Sequence, residues 1–183
     1  MELFKNIRLS IGKSIIRKRL GKTHRVKKFN NLRNAHKIGI VWDGTFISEF
    51  SSITNFHREM HDRGIQIDII CYFPGKILPN EYTALRYLTC FKRSDLGLFY
   101  CPETPEVEEF INTPYEIIID INFGRHFPLY FITSLSKAEF KVGASNTINH
   151  NTLDMTIELS GKDSITYYLD QVKHYLEMIN TGV

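Results

Sequence analysis

The chain predicts an α/β fold built on one mostly parallel sheet with helices on both faces, preceded by a basic helical N-terminal arm. Three observations predict it. Short apolar runs such as Lys37–Trp42, Ile65–Phe73 and Glu116–Asp120 have the length and continuity of strands buried on both sides. Stretches with helical spacing lie between those runs, so strand and helix alternate as a parallel sheet requires. Charge is also split: residues 1–37 carry twelve Lys or Arg against one acid, Glu2, whereas the other residues carry a net charge of −8.

Each element has its own warrant. From Leu3 to about Leu20 the residues Phe4, Ile7, Ile11 and Ile15 recur on one helical face. Leu9, Ile16 and Leu20 fall near the opposite side, Gly12 weakens the helix by about 1 kcal/mol relative to Ala, and Gly21 stops it. The first strand ends at Asp43-Gly44. Thr45 is a natural N-cap for a helix to about Arg63 whose inner face is Phe46, Phe50, Ile53, Phe56 and Met60, and Gly64 closes it. Pro74-Gly75 breaks the second strand. Residues 76–104 carry the weakest pattern, with Leu85–Phe91 and Leu96–Tyr100 as strand or loop. Thr104 caps a short acidic helix, Pro105–Ile111, with Pro at its first position.

A strand at Glu116–Asp120, a helix from about Pro128 to Lys137 and a strand at Phe140–Val142 follow. Asp154–Leu159 reads as a further strand or an extended segment. A last helix, Asp163 to about Asn180, presents Ile165, Tyr168, Leu169, Val172, Tyr175, Leu176 and Ile179 as its apolar face. The domains expected are the arm, 1–36, and a Rossmann-like α/β domain, 37–183.

Composition narrows the function classes. No apolar run approaches the roughly 18 residues of a spanning helix, and the charged N-terminus has no secretory h-region, so a cytoplasmic protein is expected. Cys71, Cys90 and Cys101 are odd in number and lack CxxC spacing, which argues for reduced thiols, with Cys71 a small buried hydrophobe. No GxGxxG follows the first strand and no GxxxxGK[ST] occurs. His57 and His61 lie one turn apart on a helix, but the Glu is out of place for HExxH and no third ligand is evident, so neither a metal nor a cofactor is expected.

In parallel α/β sheets ligands gather beyond the carboxyl ends of the strands, where strand order reverses. With the order 3-2-1-4-5, Asp43 and Asp120 would share a crevice. The ligand-binding candidates are therefore Asp43, Gly44, Thr45, Asp120, Asn122 and Arg125, with Asp43 and Asp120 the only candidates for catalysis. Each has a plain structural alternative: Asp43 before Gly44 suits a turn, and Asp120 can cap its own loop. The arm offers a second site. Arg17, Lys18, Arg19, Lys22, Arg25, Lys27 and Lys28 suit phosphate contacts with RNA, foremost the ribosome, or with an anionic membrane surface; the alternative is packing on the domain with the charges in water.

Several blocks carry a resemblance. FNNLRNAHKIGIVWDGT, FKRSDLGLFY, YEIIIDIN, PLYFITSLSKAEFKVG and HYLEMIN resemble a Bacteroidota family known as domain of unknown function 6913, which implies a basic leader and a cytoplasmic location but no activity. Tyr115–Gly143 is similar to the acceptor domain of heptosyltransferase-like glycosyltransferases, where an Asp after the first strand is catalytic; Asp43 holds the comparable place. Those enzymes carry a second, donor domain with no counterpart here. Val41-Trp42-Asp43-Gly44-Thr45 resembles half of the DxDGT signature of haloacid-dehalogenase-like phosphatases, but Val41 stands where the nucleophilic Asp belongs. The expectation is thus an accessory binding protein, more an adaptor than an enzyme, with a glycosyltransferase-like or small-ligand domain and a membrane-associated or protein-interaction scaffold as alternatives.

Overall fold

The computed structural model describes residues 2–145, 152–159 and 164–179. Helix α1 (Glu2–Leu20) leads into β1 (Lys37–Asp43), α2 (Phe50–Asp62), β2 (Gln66–Phe73), β3 (Leu88–Lys92), α3 (Pro105–Asn112), β4 (Ile117–Ile121), α4 (Phe127–Leu135), β5 (Phe140–Ala144), β6 (Met155–Ile157) and α5 (Ile165–Met178). The six strands form one sheet in the order β3-β2-β1-β4-β5-β6, and every pairing is parallel. This is the Rossmann-like arrangement the strand–helix alternation predicts. Order reverses between β1 and β4, which places the topological switch where Asp43 and Asp120 lie.

The apolar runs are strands because both sheet faces are covered. One face packs on α2 and α5 through Ile53, Phe56, Met60, Tyr168 and Leu176. The other packs on α3 and α4 through Val107, Phe110, Leu129 and Ile132. Helix α1 lies outside α4 and contributes Ile16 to that second core. Gly64, with φ of 80°, ends α2. Its N–H donates to His61 O and that of Ile65 to Met60 O, the paired bonds of a Schellman stop. Thr104 caps α3 by accepting from Val107 N, and Ser164 caps α5 by accepting from Tyr167 N.

Several expectations need correction. Thr45 caps no helix: α2 begins at Phe50, after a 3-10 turn at Ile47–Glu49, and Phe46 is exposed. The reason is local, since the Asp43 carboxylate captures both the Thr45 N–H and its hydroxyl. Where two readings stood open, Leu88–Lys92 is the strand and Leu96–Tyr100 the loop, held by a bridge between Leu96 and Pro102. Tyr175 lies on the solvent side of α5. Asp163 and Asn180, expected at the ends of the last helix, lie outside the described residues.

The packed face of α1 is also turned: Ile15 of the expected stripe packs on the second core, but Leu20 of the other side is exposed. Phe4, Ile7 and Ile11 point to solvent, whereas Gly12 and Ile16 are buried and Leu9 is half-buried. Gly12 decides this. A Cβ there would stand 2.6 Å from Phe99 O and 2.8 Å from the Phe127 ring, so the helix approaches α4 along its one side-chain-free position.

Candidate functional site

Residues on neighbouring parallel strands at one register level share a face. Val41 pairs with Asp120, and Asp43 lies two residues further along β1, so both carboxylates point toward the α3–α4 side near the carboxyl edge. They have different partners. Asp120 is fully buried; its Oδ1 accepts from Asn122 N at 2.9 Å and its Oδ2 from Thr133 Oγ1 at 2.6 Å. Those bonds tie the end of β4 to α4.

Asp43 is 1% exposed and organises the crest above it. Its Oδ1 accepts from Thr45 N at 3.0 Å and Thr45 Oγ1 at 2.6 Å, and its Oδ2 accepts from Gly124 N at 2.8 Å. His126 Nε2 lies 3.3 Å from Oδ1 and 3.2 Å from Thr45 Oγ1. Burial alone would raise the carboxyl's pKa; hydrogen bonds from His126 and Thr45, and the charge on His126, outweigh it and hold Asp43 below the usual carboxylate value. Gly124 must be glycine, because a Cβ there would collide with Asp43 Oδ2 and the His126 ring. Gly44 packs as closely on Cys71, and its carbonyl accepts from Tyr82 OH at 3.0 Å.

The loop from Asn122 to His126 is braced by Asn122. Its side-chain oxygen accepts from His126 N at 2.7 Å, its Nδ2 donates to His126 O at 2.9 Å, and its carbonyl accepts from Arg125 N at 3.1 Å. The brace holds Arg125 at φ 54°, in the left-handed region where a side chain is uncommon. Tyr100, nearby, has φ 60°. Strained backbone of this kind costs about 1–3 kcal/mol and concentrates at functional sites.

Above this loop lies a cleft of about 490 Å³ lined by residues from α1, the ends of β2 and β3, and the start of α4. Four of its side chains are basic or can become so: Lys5, Arg93, Arg125 and His126. Tyr72, Tyr100 and Phe127 supply aromatic walls, and no lining residue is Asp or Glu. The His126 ring meets Tyr72 edge-on with centroids 5.1 Å apart. The N-terminus of α4 opens into the cleft through Phe127 and Pro128, adding its partial positive charge.

Of the six ligand-binding candidates, Arg125 lines this cleft, Asp43 lies beneath it, and Thr45 reaches it only through His126. Asp120 and Asn122 are buried supports, and Gly44 packs against β2. Sequence reasoning missed Lys5, Arg93 and His126. His126 carried a usable signal, since it closes the same short loop as Asn122 and Arg125; Lys5 and Arg93 come from distant segments and had none.

The arm cations divide. Arg19 makes a two-pronged pair with Glu108 at 2.6 and 2.8 Å. Arg25 pairs with Asp154 and donates to Ala138 O and Glu139 O, and Lys27 Nζ lies 3.1 Å from Asp154 Oδ1. Arg17, Lys18, Lys22 and Lys28 are exposed, and none pairs with an acid among the described residues. His57 stacks on Tyr87 with ring centroids 3.4 Å apart. Among the described residues, no group of three or more His, Cys, Asp or Glu is placed to hold a metal ion.

Fold and site together define a Rossmann-like α/β domain with a basic cleft at its topological switch. The chain belongs to a family of unknown function, DUF6913, whose model matches residues 8–179. No curated protein matches it. No described helix is long and apolar enough to cross a membrane.

Proposed function

We propose that this protein is a binding domain for a small oxyanion-bearing molecule, foremost a phosphate ester, held in the cleft above Asp43. The observation that carries the reading is the convergence of Lys5, Arg93, Arg125 and His126, from three separate chain segments, on one cleft without a lining acid. A concave site lined by basic groups and by no acid concentrates anions from solution. Arg93 and Arg125 supply forked donors suited to phosphate or carboxylate oxygens. The α4 N-terminus adds a favourable field, and Tyr72, Tyr100 and Phe127 offer flat surfaces to a ring-bearing ligand.

In this reading Asp43 and Asn122 are positioning residues: Asp43 orients His126 and fixes Gly124, and Asn122 frames the loop that presents Arg125. The function assigned is recognition, and no chemical step is attached to it. Isothermal titration of the full chain against inorganic phosphate, a nucleoside monophosphate, a sugar phosphate and a dicarboxylate tests the proposal. At least one phosphate compound is expected to bind with Kd below about 1 mM, equivalent to about −4 kcal/mol. A panel in which no oxyanion reaches that affinity overturns it.

A further inference from the structure

The outward side of α1 is a second surface, independent of the cleft. Gly12 and Ile16 face inward, and the two-pronged Arg19–Glu108 pair and Arg8, whose guanidinium lies 4.2 Å from the Tyr100 ring centre, pin that orientation. The opposite side then displays Leu3, Phe4, Ile7 and Ile11, which are 70%, 74%, 48% and 38% exposed. Helical spacing puts Leu3, Ile7, Ile11 and Lys18 along one line, with Arg17 beside Leu3. Among the described residues no acid pairs with Arg17 or Lys18. Leu98, 67% exposed, is tied to the same end of the helix by Arg8 Nε, which donates to its carbonyl.

We propose that this face docks on an anionic lipid bilayer, with Leu3, Phe4, Ile7 and Ile11 at the acyl boundary and Arg17 and Lys18 against headgroup phosphates. Two features choose this occupant. Bulky apolar side chains flanked by cations suit a helix lying at a lipid interface, whereas a nucleic-acid backbone would answer the cations and leave the apolar residues in water. Charge complementarity also fixes the orientation. Helix α1 carries six Lys or Arg against one acid, Glu2, and residues 38–183 carry a net charge of −8, so a negative surface draws the helix inward and holds the acidic body away. The inner face of α1 is already committed to protein, which leaves the helix lying on the membrane rather than entering it.

The test is co-sedimentation of the full chain with vesicles of phosphatidylcholine alone and of phosphatidylcholine with about 30% phosphatidylglycerol, in about 100 mM salt. Binding to the anionic vesicles should exceed that to the neutral ones by about tenfold or more. Two variants probe the two components: Phe4→Ser with Ile7→Ser and Ile11→Ser, and Arg17→Glu with Lys18→Glu. Each should lose about tenfold or more in vesicle binding. Their substitutions lie on exposed positions, and unchanged circular dichroism and urea midpoints would show that the fold is intact. Equal binding to both vesicle types, or none, overturns the proposal. So does tight binding of a single-stranded RNA oligomer that survives the serine substitutions, because it would give the face to a different partner.

Discussion

His126 Nε2 lies 3.3 Å from Asp43 Oδ1, joining the end of β1 to the loop that starts α4. The contact spans the point where strand order reverses, so it couples the cleft to the centre of the sheet. Asp43→Asn keeps the shape but replaces one acceptor with a donor facing backbone N–H groups. It should cost about 1–3 kcal/mol, read from urea denaturation at neutral pH. The sign with pH follows from the lowered carboxyl pKa. Asp43 stabilises the fold fully above about pH 4, and that contribution fades as pH falls through the folded-state value. The Asn variant should therefore lose less stability than the wild type on acidification.

Lys141 predicts a slope of the same sign in a higher window. Its Nζ donates to Thr133 O at 2.7 Å and Ser134 O at 3.0 Å, the last-turn carbonyls of α4. Burial, with Arg25 close by, lowers its pKa to about 7. Below pH 7 folded and unfolded chains both hold this proton, so the group adds no slope. Between pH 7 and 9 the unfolded chain keeps the proton and the folded chain releases it. Stability should then rise by up to about 1.4 kcal/mol per pH unit from this group. Lys141→Met should flatten that rise in urea midpoints measured at pH 7, 8 and 9; an unchanged slope would show that Lys141 stays protonated in the fold.

Gly12→Ala separates helix propensity from packing. Propensity alone favours alanine by about 1 kcal/mol. A Cβ at Gly12 would sit 2.6 Å from Phe99 O and 2.8 Å from the Phe127 ring, closer than such contacts allow. The variant should be destabilised by about 1–3 kcal/mol in thermal or urea unfolding. A more stable variant would place α1 elsewhere.

Two of the arm's ion pairs should behave differently. Asp154 and Arg25 are only 10% and 13% exposed at their side chains, and Asp154 also accepts from Lys141 N at 2.9 Å. Asp154→Asn should cost about 3 kcal/mol or more, because it leaves a nearly buried guanidinium without its counter-charge. Glu108→Gln breaks a pair whose side chains are 35% and 43% exposed and should cost about 1 kcal/mol or less. Comparable losses at both sites would contradict the assignment of Arg25 to the interior.

Much of the fold is legible because burial on both faces leaves a direct trace. Ile117 to Ile121 can only be a central strand, and Gly64 and Thr104 mark helix ends through backbone chemistry that acts within a few residues. The face of α1 is not legible. Apolar residues ring that helix, and the choice between them is made by Phe99 and Phe127, which no local pattern reveals. Thr45 misleads for a similar reason: its capping groups are claimed by Asp43 two residues earlier. The site was half legible. Asp43 and the Asn122–Arg125 loop follow from the strand ends, but Lys5 and Arg93 reach the cleft only through the packing of α1 and the end of β3.

The most direct test of an oxyanion site above Asp43 is a nitrogen-15 NMR titration of the full chain with a phosphate ester. Saturable shifts are predicted at the amides of Gly124, Arg125, His126 and Phe127 and at the Arg93 and Arg125 side chains, and the double variant Arg93→Ala with Arg125→Ala should abolish them. Unmoved resonances along this loop, or the same titration in the double variant, would contradict the account.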